Sequence, residues 1–416
     1  MCTSRRAHPK PRSRRRTILK VTAWTLSVLV LLAAGTAAYL YQSLMGHIAT
    51  ISLPASVHKA PPAKPDAQGH TPLNILLLGS QTRDGQHGVN LGNASKLGTD
   101  ISDTTMLVHI DAQRRWAVVA SIPRDLMAPR PQCQSRTDPK VTVPGSDQAM
   151  FDEAMNLGGP LCAVATVEQL TGLRIDHFVE ITFNAFQDLT TAVGGVTVCV
   201  PPPGINDPNY SGLVLGPGLH TIQGAQALEF VRDRHGIGTG TDLGRIQMQQ
   251  AFVSSLFAKV TSNGTLDDPV TLYQVAKAVT SNITVDTGLD SLPALVGLAQ
   301  DVRGLHSHHI QFVTAPYEFD PADVNRVIPG QGFDQLWTDL RHDQPLPGSP
   351  AAADFGTSAR PVSTSPAAPA SPSASASPPA PATPATPGPS ISAESRSGDQ
   401  NICSDLPTPV PYGGQP

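Results

Sequence analysis

Behind eight basic residues, positions 21–41 run for 21 residues without a charged side chain. This stretch restricts the chain more than any other, because about 20 apolar residues in a helix cross the hydrocarbon core of a bilayer. The basic flank is Arg5, Arg6, Lys10, Arg12, Arg14, Arg15, Arg16 and Lys20, and the first acid is Asp66. Basic residues on a short flank stay in the cytoplasm. The expectation is therefore a single-pass protein of the cell membrane, with residues 1–20 cytoplasmic, a transmembrane helix over 21–41 and the remainder extracellular. A cleaved signal peptide is the competing reading, since residues 33–38 are rich in small side chains. The apolar run is long for a signal sequence, and Tyr39 and Tyr41 suit a membrane interface, which favours an uncleaved anchor.

Composition divides the rest of the chain. Residues 345–416 hold 17 of the 40 prolines, diluted with Ala, Ser and Thr. Such a segment buries too little apolar surface to offset its ordering entropy, so it reads as a disordered tail, suited to a spacer through the wall. Residues 42–72 read as a shorter linker of similar character. That leaves a body over 73–344, enough for one sizeable core. Beyond Lys20 the chain has 21 Lys+Arg (29 less those 8) against 33 Asp+Glu, a net charge of −12. An acidic body without interleaved aromatic residues argues against nucleic acid as a partner.

The cysteines fit an exported body. Cys2 falls on the cytoplasmic side, leaving Cys133, Cys162, Cys199 and Cys403, for which three pairings exist. Cys133–Cys162, flanking one insertion, and Cys199–Cys403, tying the tail to the body, are the expected pairs; free buried cysteine is the alternative.

Within the body, the apolar run 73–79 ends in glycine, as a buried strand does before a turn. Residues 104–110 and 116–122 read as a strand pair, followed by an irregular stretch to about Gly145. Two helices over 148–157 and 160–170 are expected to break at Gly158-Gly159. A strand (177–181), a helix (184–193) and a strand ending at Pro201 (196–200) come next. Helices are then expected over 223–230, 242–260 with Asp242 as N-cap, and 289–302, with a last strand over 309–313. Strands alternate with helices, but too irregularly for a doubly wound sheet. The fold class is α/β, a mixed central sheet between helical layers.

Chemistry concentrates in two places. Arg232, Arg234 and Arg245 fall within fourteen residues, around a glycine-rich loop and a helix start. In an acidic body this suggests an anion site, because a guanidinium fork matches phosphate oxygens; pairing with surface carboxylates is the plainer reading. Arg245 and Gln249 stand at i and i+4, on one helix face. The loops 79–84, 100–104 and 121–125 each adjoin an apolar strand. Gathered at one sheet edge, they would bring Asp103, Arg83 and Arg124 together. An acid among arginines suits a magnesium-bound diphosphate; for Asp103, a turn or cap role is the alternative. His235 lies in the arginine segment and reads as a loop residue. No Ser-His-Asp set, zinc spacing or glycosidase carboxylate pair can be argued.

These motifs, in order, resemble the LytR-CpsA-Psr family of cell-envelope phosphotransferases. The resemblance runs from about Leu73 to Val260. It rests on Asn-Ile-Leu-Leu-Leu-Gly-Ser, Ser-Asp-Thr-Thr-Met-Leu-Val-His and Ser-Ile-Pro-Arg-Asp, then Glu168-Gln-Leu-Thr-Gly172 with Asp176-His-Phe-Val-Glu180. Val193-Gly-Gly-Val196 and the Arg-x-Arg…Asp-x-Gly-Arg…Gln-Gln segment complete the series. It implies transfer of a glycopolymer phosphate from a polyprenyl-pyrophosphate carrier to a peptidoglycan sugar hydroxyl, with Mg²⁺ as cofactor. Carried over, Asp103 would bind the metal or act as base. Arg83, Arg124, Arg232, Arg234 and Arg245 would clamp the pyrophosphate, assisted by Gln249. Helices over 164–170 and 183–193 would line a groove for the lipid.

The chain departs from the family pattern at named positions. Gln81 stands where a second metal-binding aspartate is common, and a neutral amide binds Mg²⁺ more weakly. Ile101 and Met248 replace common arginines, and a lysine expected near Met150 is missing; Asp84 or Asp100 would have to compensate at the metal. Two further readings are an envelope scaffold that binds the lipid pyrophosphate or wall polymer without turnover, and hydrolysis of the pyrophosphate by water. The abundance of Ala, Pro and Gly suggests an actinobacterial source.

Overall fold

The computed structural model describes residues 14–45, 48–80, 102–234, 236, 242–262, 264, 268–281, 283–356 and 395–399. It divides into two units, residues 1–47 and 48–416. The first is helix α1 (Arg14–Met45), whose residues Ile18–Leu44 are long and apolar enough to span a bilayer. This is one N-terminal apolar helix consistent with a single membrane anchor.

The second unit is built on an eight-stranded mixed sheet. In chain order its strands are β1 (Ala49–Ile51), β2 (Leu73–Ser80), β3 (Ser102–Ile110), β4 (Ala117–Ile122), β5 (His177–Thr182), β6 (Ile283–Asp286), β7 (Ile310–Thr314) and β8 (Arg396–Ser397). Their order across the sheet is β1-β6-β5-β2-β3-β4-β7-β8. β2 pairs parallel to β5 and antiparallel to β3, while β4 pairs antiparallel to β3 and parallel to β7. β4 is buried at all six positions, as expected of a strand covered on both faces, and its sequence Ala-Val-Val-Ala-Ser-Ile accordingly shows no alternation.

The helices of this unit include α2 (Asp152–Thr171), α3 (Phe183–Ala192), α4 (Gly224–Arg232), α5 (Asp242–Val260), α6 (Pro269–Ser281), α7 (Leu292–Arg303), α8 (Phe333–Arg341) and α9 (Pro350–Phe355). One core joins β2, β3 and β4 to α2 and α8 through Leu76, Leu107, Val164, Leu336 and Trp337. Another joins α4 and α5 to the small sheet Val196–Val200/Gly218–Ile222 through Phe230, Met248 and Phe252.

The Gly158-Gly159 break is local. Gly159 has φ +68° and ψ −162°, a kink followed by Pro160, yet the chain resumes the helix on the far side. Cys133, on a neighbouring hairpin strand, and Cys162, just past the kink, are disulfide-bonded beside it, with Cα atoms 5.5 Å apart. Cys199 is also disulfide-bonded; Cys403, its expected partner, lies outside the described residues.

Three segments pack more closely than composition suggests. The expected linker contributes β1, and buried Glu168 of α2 accepts hydrogen bonds from the backbone N–H of Ala60 (3.0 Å) and Ile175 (2.8 Å), with the His58 ring 2.8 Å away. The expected irregular stretch after Asp125 holds the hairpins Met127–Arg130/Ser146–Met150 and Cys133–Gln134/Thr142–Val143. Past residue 345, Leu346 and Ala351 enter the main core, and β8 adds to the edge strand β7. The rest of the Pro/Ala/Ser segment, 357–394 and 400–416, lies outside the described residues.

Candidate functional site

Strand register fixes one edge of the sheet. Ser80 of β2 pairs with Ser102 of β3 and with Thr182 of β5, Thr105 of β3 with Ile122 of β4, and Ser121 of β4 with Thr314 of β7. The ends of β2, β4, β5 and β7 and the start of β3 therefore share this edge. Asp103 is the second residue of β3, so its backbone lies at the start of that strand on this edge, while Arg124 follows the end of β4 by two residues. The Asp103 side chain, Gln81, Arg83 and His235 lie outside the described residues.

Arg124 sits on a turn in which Leu126 N–H donates to the Pro123 carbonyl at 3.1 Å. Its Nε lies 3.5 Å from Asp125 Oδ2, and its carbonyl accepts from the N–H of Asp152 at the start of α2 (3.2 Å). Burial pushes the Asp152 carboxyl up to about 6; the Arg124 charge opposes this, while Asp125 and Glu153 add to it.

The arginine segment reaches the same edge from the other side. The guanidinium of Arg232, at the end of α4, lies over the ring of Phe183 at 5.3 Å, and Phe183 directly follows Thr182 of β5. Arg245 on α5 is 2% exposed. Two glutamines fix α5 there. Gln249 Nε2 donates to the Val231 carbonyl at 3.1 Å, binding α5 to the residue before Arg232. Gln250 Nε2 lies 3.0 Å from Ser121 Oγ and 3.2 Å from Thr314 Oγ1, binding α5 to the ends of β4 and β7. The segments bearing Arg124, Arg232 and Arg245 are thus carried to one edge, the edge at which β3, the strand of Asp103, begins. Arg234 is half-buried two residues past Arg232. Gln249 spends its amide N–H on the fold, which makes it a brace for the arginines in this structure.

Between Arg232 and Arg234, Asp233 is fully buried. Its carboxylate accepts from Ser211 Oγ (3.1 Å) and from the Gly236 N–H (3.1 Å), and it is hydrogen-bonded to the buried carboxyl of Asp207. Burial, and then the hydrogen bond and charge of Asp207, push Asp233 up to about 7. Sequence reading missed Asp233, Asp152 and Gln250. An acid flanked by two arginines was a visible signal, and Gln250 stood in the Gln-Gln of the motif without a role assigned to it. Among the described residues there is no group of three or more His, Cys, Asp or Glu placed to hold a metal.

The LytR_cpsA_psr family profile matches residues 43–341. The chain belongs to this family. It is 29% identical over 311 residues to the cell wall biosynthesis protein LcpA of Corynebacterium glutamicum, covering 70% of this chain and 58% of that protein. It therefore spans little more than half the length of that relative. It is 28% identical to the polyisoprenyl-teichoic acid–peptidoglycan teichoic acid transferase TagT of Bacillus subtilis, over 74% of this chain and 88% of TagT. Among solved structures, TagT bound to LI-WTA matches with a TM-score of 0.52 and 25% identity, covering 70% of this chain and 98% of that one. The family match spans the Ser-Ile-Pro-Arg loop, both edge-bracing glutamines and the Arg-Asp-Arg segment.

Proposed function

We propose that this protein transfers a phospho-glycopolymer from a polyprenyl-pyrophosphate carrier to a peptidoglycan sugar hydroxyl. The observation that supports this most is the delivery of Arg124, Arg232 and Arg245 to one sheet edge, by a turn, a helix end and a braced helix. The acceptor oxygen attacks the phosphorus bearing the polymer; the bridging P–O bond breaks, prenyl phosphate leaves and a phosphodiester forms. The hydroxyl proton passes to the Asp103 carboxylate or to water. Guanidiniums aimed at the diphosphate stabilise the charge that grows on the leaving group, and this is the main source of rate in such a transfer.

Mg²⁺ takes oxygen ligands and is commonly held by one or two carboxylates together with substrate phosphates; Asp103 and, more weakly, Gln81 would hold it here beside the diphosphate. Bound so, it would supply positive charge at the phosphate oxygens. The Cys133–Cys162 disulfide supports placing the body outside the cytoplasm, with the basic N-terminus inside.

The test uses the full chain in detergent with a polyprenyl-pyrophosphate-linked glycopolymer, Mg²⁺ and a peptidoglycan oligosaccharide. Polymer-bearing oligosaccharide and free prenyl phosphate are expected, with both lost in Arg124→Ala. Tight donor binding with no product would make the chain a scaffold, and product release without an acceptor would make it a hydrolase.

A further inference from the structure

The arginines explain how a diphosphate is held, but an acceptor sugar has no phosphate for them to grip. It needs contacts of another kind. Among the described residues of the body, two aromatic side chains are exposed, Tyr210 at 63% and Phe319 at 56%; its other described Phe, Tyr and Trp side chains are buried or half-buried. Each stands on a two-stranded projection bonded to an arginine-bearing segment.

Phe319 belongs to the hairpin Tyr317–Asp320/Asp323–Pro329, where it pairs with Val327. Val327 bridges to Leu126, and its N–H donates to the Asp125 carbonyl at 3.2 Å. Two strand spacings thus separate Phe319 from the residues just after Arg124, about 10 Å of backbone. Tyr210 is on the turn between Ile205–Asp207 and Leu213–Leu215, and the next residue, Ser211, donates to Asp233 between Arg232 and Arg234. A single exposed aromatic residue would mean little. Two such residues, each joined through its own hairpin to one of two arginine segments 108 positions apart in sequence (124 and 232), are a more specific signal.

We propose that Phe319 and Tyr210 are contacts for the acceptor glycan, each ring stacking against the C–H face of a sugar. The identity of that glycan as peptidoglycan rests on the proposed transfer reaction. Sugar C–H groups carry slight positive charge and settle on the negative face of an aromatic ring. The Phe319 ring is set edge-on to Tyr317, with centroids 6.3 Å apart at 85°. Beside it, Glu318 accepts from the Gln331 N–H through Oε1, and Asp320 from the Ala322 N–H through Oδ1. Their second oxygens, Oε2 and Oδ2, have no partner among the described residues and suit sugar hydroxyls. The same carboxylates oppose an anionic bilayer, which argues against this tip as a membrane contact.

The test is made on the full chain in detergent with Phe319→Ala, Tyr210→Ala, the double variant and Phe319→Trp. Saturation-transfer NMR with a peptidoglycan oligosaccharide reads binding directly, and initial rates read the two KM values. Both alanine variants are expected to raise the acceptor KM about tenfold or more, with donor KM within about twofold and Phe319→Trp near wild type. An unchanged acceptor KM with unchanged saturation transfer would overturn the proposal. So would a rise in donor KM alone, or a loss of sedimentation with anionic vesicles in place of a loss of sugar binding. If the wild type binds the oligosaccharide through these rings yet transfers nothing, the sugar site stands and the transfer reading fails.

Discussion

Asp233, flanked in sequence by Arg232 and Arg234, shows how packing sets the charge of a single residue. Its carboxyl titrates near 7 because burial and Asp207 both disfavour the charge. The folded state therefore holds a proton that the unfolded chain releases near the ordinary aspartate value of about 3.9, so this site's contribution is full below that pH and is lost as pH rises toward 7. The new negative charge would appear at a buried carboxyl that lies between Arg232 and Arg234 in sequence, and it would repel a phosphate held by those arginines. Donor affinity measured by titration calorimetry is expected to weaken between pH 6 and pH 8, by roughly one pKa unit's worth of free energy, ~1.4 kcal/mol. Asp233→Asn is expected to flatten that dependence, and an equal slope in the variant would refute the role. The acid between two arginines was visible in the sequence, but its raised pKa was not, because Asp207 and Asp233 meet only once a hairpin strand and a helix end are packed together. Arg124 and Arg232, by contrast, were legible, since an arginine after a proline at a strand end has no packing reason to be there, and Arg232 opens a run of arginines in an acidic body.

At the scale of elements, strand and helix identity agreed closely with apolar runs and breakers. β2, β3, β4 and α5 lie within two residues of expectation, and the Gly158-Gly159 break is a real kink. What the sequence hid was pairing. Short strands such as Met127–Arg130 and Tyr317–Asp320 carry too few residues for a period to show, and Arg396–Ser397 sits in a segment whose composition argues for no structure at all. The placing of α5 hangs on Gln250, whose amide spans the ends of β4 and β7. Gln250→Met keeps the volume but leaves two buried hydroxyls without that donor, at a cost of about 1–3 kcal/mol. Denaturant unfolding should show that loss, and turnover should fall through kcat as Arg245 shifts. A variant with unchanged stability and unchanged kcat would mean that α5 is held by its apolar face alone.

Across the whole molecule, the chain consists of an apolar N-terminal helix and a mixed-sheet body of the LytR-CpsA-Psr family whose arginines come from segments more than a hundred residues apart. If those segments grip one diphosphate, they must be coupled in energy. The direct measurement is a double-mutant cycle on binding of a prenyl pyrophosphate by the full chain, with Arg124→Ala, Arg232→Ala and both together. Two guanidiniums on one ligand should give an interaction energy of about 1 kcal/mol or more. Losses that add within about 0.3 kcal/mol, or no loss from either change, would contradict a shared site.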